Sequence, residues 1–187
     1  MSQFSSHHRP TLLFELRSAF ACLPAFLMSP LTGPVRLPDL SWSALTSFIV
    51  LASVVTAAIA GIITGNLFRF WTSLILLPLA SIVANSILVL VMILIIGLFS
   101  GRTLDWRKIA GLAALSSVVY LIGSLISLAW APALFVGFTL QTLVFGSALI
   151  QRHHVERAVV WSTVLGLNFA FVGVSQGWVG RLLGLST

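Results

Sequence analysis

The chain has 187 residues, ten Lys and Arg against four Asp and Glu, and a net charge of +6. Only 7% of its residues are charged, 58% are hydrophobic and the mean hydropathy is +1.09; a soluble domain carries about 25% charged residues, so a water-facing surface is excluded and lipid must solvate most of the chain. A nucleic-acid partner, which such a charge would suggest on a soluble protein, is excluded too: the basic residues sit in short loops beside apolar runs, where they set topology and meet anionic headgroups.

The length suits one domain. Residues 1–40 read as an N-terminal arm. His7 and His8 are adjacent in a polar tail and supply no metal geometry. In Thr11 to Leu23, Leu12, Leu13, Leu16, Phe20 and Leu23 recur at helical steps while Glu15 and Ser18 fall elsewhere. This predicts a short amphipathic helix, lying along the membrane interface or packed on the bundle. It is too charged for a secretory signal, and no small-residue cleavage site closes it. Cys22, the lone cysteine, excludes an intrachain disulfide; it reads as an ordinary buried thiol, with palmitoylation the alternative that its juxtamembrane place offers. Pro24, Pro30, Pro34 and Pro38 then predict a linker rather than a continued helix, with Asp39 or Ser41 capping the next helix.

Five spans come after the arm, at about 42–64, 71–99, 109–129, 133–150 and 158–176, with a short tail at 179–187. The expected fold is all-α: five transmembrane helices with an N-terminal interfacial helix. In the first span, Ser53, Ala57, Gly61 and Gly65 form a small-residue stripe suited to close helix packing, self-association included. The second span is the longest and contains Pro78, a cause for kinking. In the third, Ser116, Tyr120, Gly123 and Ser127 share a face, and the mid-span Tyr120 hydroxyl needs a partner inside the bundle.

The fourth and fifth spans flank the turn QRHHVER. Gln141 lies eleven residues before Arg152 and Asn168 eleven after Arg157, about 16 Å from the turn at the helical rise. Both amides therefore lie near the midplane of a ~30 Å hydrocarbon layer. With Asn85 and Tyr120 they form a midplane polar set, read first as interhelical hydrogen bonding and otherwise as a patch for a neutral solute or lipid headgroup. Gln141 and Asn168 are the expected register lock of the hairpin.

Lys and Arg number eight on the N-terminal side and two on the other, which predicts a cytoplasmic N-terminus and an outer C-terminus. Trp42, Trp106 and Trp161 fall at the cytoplasmic ends of spans, and Trp71, Trp130 and Trp178 at the outer ends, where aromatic belts lie. The QRHHVER turn has two readings: a solvated cytoplasmic turn that needs only its charge, or, with Arg152 and Arg157 acting beside Arg102, Arg107 and Lys108, a basic cytoplasmic face for anionic headgroups or a protein partner.

No Asp, Glu, Lys, Arg or His lies deep in a span, which counts against proton-coupled carriers, pumps and voltage sensors. HHVER has its glutamate in the wrong order for the His-Glu-x-x-His zinc motif. There is no Gly-x-Ser-x-Gly elbow, no carboxylate pair and no phosphate-binding glycine loop. The reading is a non-enzymatic protein with no catalytic residue, metal or cofactor.

The segments MSPLTGPVRLPDLSWSAL, SGRTLDWRKIAGLAALSS and RHHVERAVVW, before spans one, three and five, resemble the Yip (Ypt/Rab-interacting protein) family and its prokaryotic branch. The resemblance covers roughly Met28 to Gly173. It implies a five-span, non-enzymatic membrane protein that self-associates or binds a membrane-protein partner; eukaryotic members are linked to small GTPases and vesicle traffic. The arm here is short, lacks an acidic or aromatic-rich region, and span three lacks the family's frequent proline. The expectation is therefore a membrane-organising or adaptor protein of a bacterial plasma membrane. The alternative is a small channel or carrier using the midplane amides.

Overall fold

The computed structural model describes residues 11–32, 37–101 and 105–175. Six α-helices occur among them: α1 (Leu12–Thr32), α2 (Trp42–Thr64), α3 (Leu67–Ser100), α4 (Trp106–Ile126), α5 (Ala133–His153) and α6 (Arg157–Ser175). Five, α2 to α6, are long and apolar enough to cross a membrane. The tail 179–187, Trp178, Arg102, His7 and His8 lie outside the described residues.

Helix ends follow local chemistry. Ser41 caps α2, its Oγ accepting from the Ala44 amide, and Gly65 ends the helix in the left-handed region at φ 61°. That conformation costs glycine nothing. Gly65 is therefore an exposed cap and not the fourth member of a packing stripe. Span three begins at Trp106, three residues before the expected start, because Asp105 accepts from the Arg107 amide and caps α4. Arg107 and Lys108 thus belong to the helix, not to the loop. Likewise α5 runs on to His153 and stops where His154 turns left-handed at φ 48°. α3 starts four residues earlier than expected and continues unbroken through Pro78. Its 34 residues make about 51 Å of helix, so it must tilt to fit a bilayer.

The arm departs most from expectation. α1 continues through Pro24 and Pro30 to Thr32, where the sequence predicted a linker. A helical proline costs about 3 kcal/mol, but Pro24 is exposed and the helix gains burial on the other side. Phe26 and Ala19 are fully buried, and a buried Phe contributes ~1.5–3 kcal/mol. The predicted apolar face holds only in part: Leu16 and Leu23 pack against the core, while Leu12 and Leu13 are exposed and Glu15 is buried. α1 packs on α2, α4 and α5, with the Phe20 ring 4.9 Å from that of Phe48.

The closest pairings are α2 with α3 and α4 with α5; α4 also touches α2 and α3, and α6 rests on α5 and α3. The hydrophobic core lies wholly in the half of the bundle nearer the arm. It takes Phe48 from the start of α2, Met92 and Ile96 from the end of α3, Ile109 and Leu112 from the start of α4, and Phe145 and Leu149 from the end of α5. Bulky Ile62, Ile63, Phe68, Ile75 and Leu79 stay exposed at the far end, as lipid permits.

At the centre of the α4–α5 contact two glycines meet. A Cβ built on Gly123 would lie 2.7 Å from the Gly137 Cα and 2.9 Å from the Ala133 oxygen. Nothing larger fits, so these glycines set the helix separation. Ser53, Ala57 and Gly61 are buried in the protomer, and Gly61 faces the Phe70 side chain directly. The stripe is therefore consumed by packing within the chain and is not left free for self-association.

Candidate functional site

The four midplane residues do not form one site. Asn168, on α6, spans the hairpin: its Nδ2 donates to Thr142 Oγ1 at 2.9 Å and its Oδ1 accepts from Thr139 Oγ1 at 2.8 Å. The register lock is thus Asn168 with Thr139 and Thr142, not with Gln141. Successive helical residues are about 100° apart, so Gln141 shares their depth but not their face. Gln141 is buried. Tyr120 meets Phe138 edge-on at 6.4 Å, and its hydroxyl has no hydrogen-bond partner among the described residues. That corrects the expected partner: the ring is only half-buried, so full desolvation does not force one. Asn85, on α3, is buried; its Nδ2 donates to the Ser81 oxygen at 2.8 Å while its Oδ1 is unpartnered.

Most span hydroxyls are satisfied within their own helix. Thr56 donates to the Ala52 oxygen at 2.8 Å, Ser116 to Ala113 at 2.9 Å and Thr163 to Val159 at 2.7 Å. Such back-bonding removes polar groups from any inter-helical path.

Asn168→Leu removes both interhelical bonds. Membrane hydrogen bonds average about 0.6 kcal/mol, so a loss of about 1 kcal/mol is expected in detergent thermal denaturation. Gln141→Leu, which breaks no hydrogen bond across the hairpin, is expected to be neutral or stabilising. Equal losses for both variants would contradict the assignment.

The charged residues gather more than the amides do. Arg107, Lys108 and Arg152 line one depression with Leu37, Pro38, Asp39 and Leu40, so the ends of α4 and α5 meet the segment entering α2. Arg152 Nη2 donates to the Leu37 oxygen at 3.4 Å, a long contact that ties that segment to α5. Lys108 stands 4.0 Å from Asp105 at the surface, a pair worth little to stability. Arg157 is exposed at the first position of α6 and does not line the depression. Of the five predicted basic residues, three converge, one stands apart and Arg102 lies outside the described residues.

Glu15 is the residue the sequence reading passed over. Its Oε2 accepts from the Ser41 hydroxyl at 2.6 Å and from the Ser41 amide at 2.8 Å. A carboxylate from the arm thus caps the N-terminus of α2, where the helix dipole favours an anion. The Ser41 hydroxyl, then the Ser41 amide, holds its carboxyl below the usual range. The signal was available: a carboxylate in an apolar segment must find donors, and the predicted cap Ser41 carries a hydroxyl and an amide that can donate. Cys22 is half-buried, donates to the Ala19 oxygen at 3.2 Å, and burial pushes its thiol up, which disfavours the reactive thiolate.

Five spans with no ionisable residue deep in any of them define an integral, multi-pass α-helical membrane protein. Comparison with protein-family models, curated proteins and solved structures finds no match.

Proposed function

We propose that this chain is a Yip-like, non-enzymatic membrane-organising or adaptor protein of a bacterial plasma membrane. Its N-terminus and arm-side end face the cytoplasm, its C-terminus lies outside, and the basic residues at the arm-side end engage anionic headgroups or a membrane-protein partner. The observation that carries the reading is the convergence of Arg107, Lys108 and Arg152 around 37–40. Three separate chain segments contribute to that surface, and the arm packs beside it. The excess of Lys and Arg on that side supports the orientation. The dispersal of Asn85, Tyr120, Gln141 and Asn168 weighs against a channel or carrier built on them. Self-association, where it occurs, uses a face other than the Ser53–Gly61 stripe.

The test is affinity purification from native membranes, with co-purified proteins and lipids quantified by mass spectrometry. Each basic residue near an anionic surface contributes about 1 kcal/mol. Arg107→Gln/Lys108→Gln is therefore expected to lose at least about tenfold of a bound partner or anionic lipid. Recovery of both at the wild-type level would sink the reading.

A further inference from the structure

A cavity of about 190 Å³ opens between the start of α2, the middle of α3 and the start of α4. Its walls are apolar: Leu45, Ile49 and Val89 are buried there. Trp42 and Trp106, each the first residue of its helix and about half exposed at 55% and 50%, stand at its mouth. Tryptophans at helix ends sit at the membrane interface. Leu45 and Ile49 lie one and two turns deeper, and the exposed Thr46 and Ser86 border the opening. The cavity is thus entered sideways from the bilayer.

Asn85 lines the same cavity and is 7% exposed. Its Nδ2 is committed to the Ser81 oxygen, so the atom left without a partner is the acceptor, Oδ1. A buried acceptor is costly unless a donor reaches it. No charged side chain lines the cavity, which disfavours an ionic ligand. The space exceeds the roughly 150 Å³ at which an apolar cavity binds benzene.

We propose that this cavity binds a neutral lipophile from the bilayer that carries one hydroxyl donor, with the apolar body between α2 and α4 and the hydroxyl donating to Asn85 Oδ1. Hydrocarbons, ethers and ketones fill the space but leave the acceptor unpaired. The site is separate from the basic end and stands or falls apart from the role proposed there.

The test uses the full chain in nanodiscs and fluorine NMR of two probes, 4-(trifluoromethyl)benzyl alcohol and 4-(trifluoromethyl)toluene. The alcohol is expected to broaden saturably beyond empty nanodiscs. Asn85→Leu is expected to weaken the alcohol roughly two- to tenfold while leaving the hydrocarbon nearly unchanged. Ala110→Phe, which fills the cavity without altering the amide, is expected to abolish both and decides the matter if Asn85→Leu does not fold. No saturable binding to the wild type would overturn the proposal, as when water alone fills the space. So would wild-type alcohol affinity in Asn85→Leu, or unchanged binding in Ala110→Phe.

Discussion

Gly123→Ala and Gly137→Ala are each expected to destabilise the bundle, although alanine is the better helix former by about 1 kcal/mol. Two effects compete, and distance decides between them. The new methyl on Gly123 would meet the Gly137 Cα at 2.7 Å, and one on Gly137 would meet the Gly123 Cα at 2.9 Å. These are backbone atoms and cannot rotate aside, so α4 and α5 must separate along their shared length. Overpacking of this kind costs ~1–3 kcal/mol, and it also loosens Phe145 and Leu149 against Ile109 and Leu112. The net effect for alanine is a loss of about 1–2 kcal/mol, and leucine should prevent folding. Gly97→Ala and Gly166→Ala are the controls. Nothing lies within 4 Å of a Cβ at either position, so propensity should win there and stability rise slightly. Detergent thermal denaturation reads all four. Stabilisation at Gly123 or Gly137 would show that the helices do not meet at these residues.

Glu15→Leu is expected to release the arm. The substitution removes a carboxylate that accepts two bonds from Ser41 at 2.6 and 2.8 Å. Hydrogen bonds to a charged group contribute ~1.5–3 kcal/mol each and do not simply add. A loss of about 2 kcal/mol would raise the undocked fraction of α1 roughly thirtyfold. Arg17 is exposed on the same helix, so trypsin cleavage after it should accelerate as α1 frays. The pH dependence has a definite sign. The folded state holds Glu15 below its usual 4.5, so its contribution is intact above that value. It is lost as the pH falls through the folded pKa, when the carboxyl takes up a proton. Wild-type docking should therefore weaken in acid below about pH 4, while Glu15→Leu should show no such transition. Equal cleavage rates in wild type and variant near neutral pH would contradict the tether.

Much of this architecture was legible in the residues. Long apolar runs and tryptophans at their ends give the spans, because both report bilayer thickness rather than tertiary detail. The depth of Asn168 was legible for the same reason. Its partners were not: depth comes from counting residues, but the facing side depends on how α5 and α6 are rotated. Gly123 was visible on one face with Ser116, Tyr120 and Ser127; its apposition to Gly137 depends on the crossing point of α4 and α5. The arm misled because leucine periodicity marks a core only when water is the solvent. Beside lipid, leucines are equally comfortable facing outward, as Leu12 and Leu13 do, and the most deeply buried positions of α1 are Glu15, Ala19 and Phe26, with Leu16 and Leu23 only partly covered. The prolines misled by their local cost, which packing against α2, α4 and α5 offsets.

A bundle closed to water that acts from its arm-side end should admit water-soluble reagents only there. Cys22 is the lone native cysteine, so Cys22→Ser gives a clean background for single cysteines at positions 85, 120, 141, 168, 107 and 157. Native vesicles of each are treated with a membrane-impermeant maleimide from either side. Labelling is expected at 107 and 157 from the cytoplasmic side only, and none at the four mid-span positions. Labelling of two or more mid-span positions from both sides would reveal a water path through the bundle and contradict its closure.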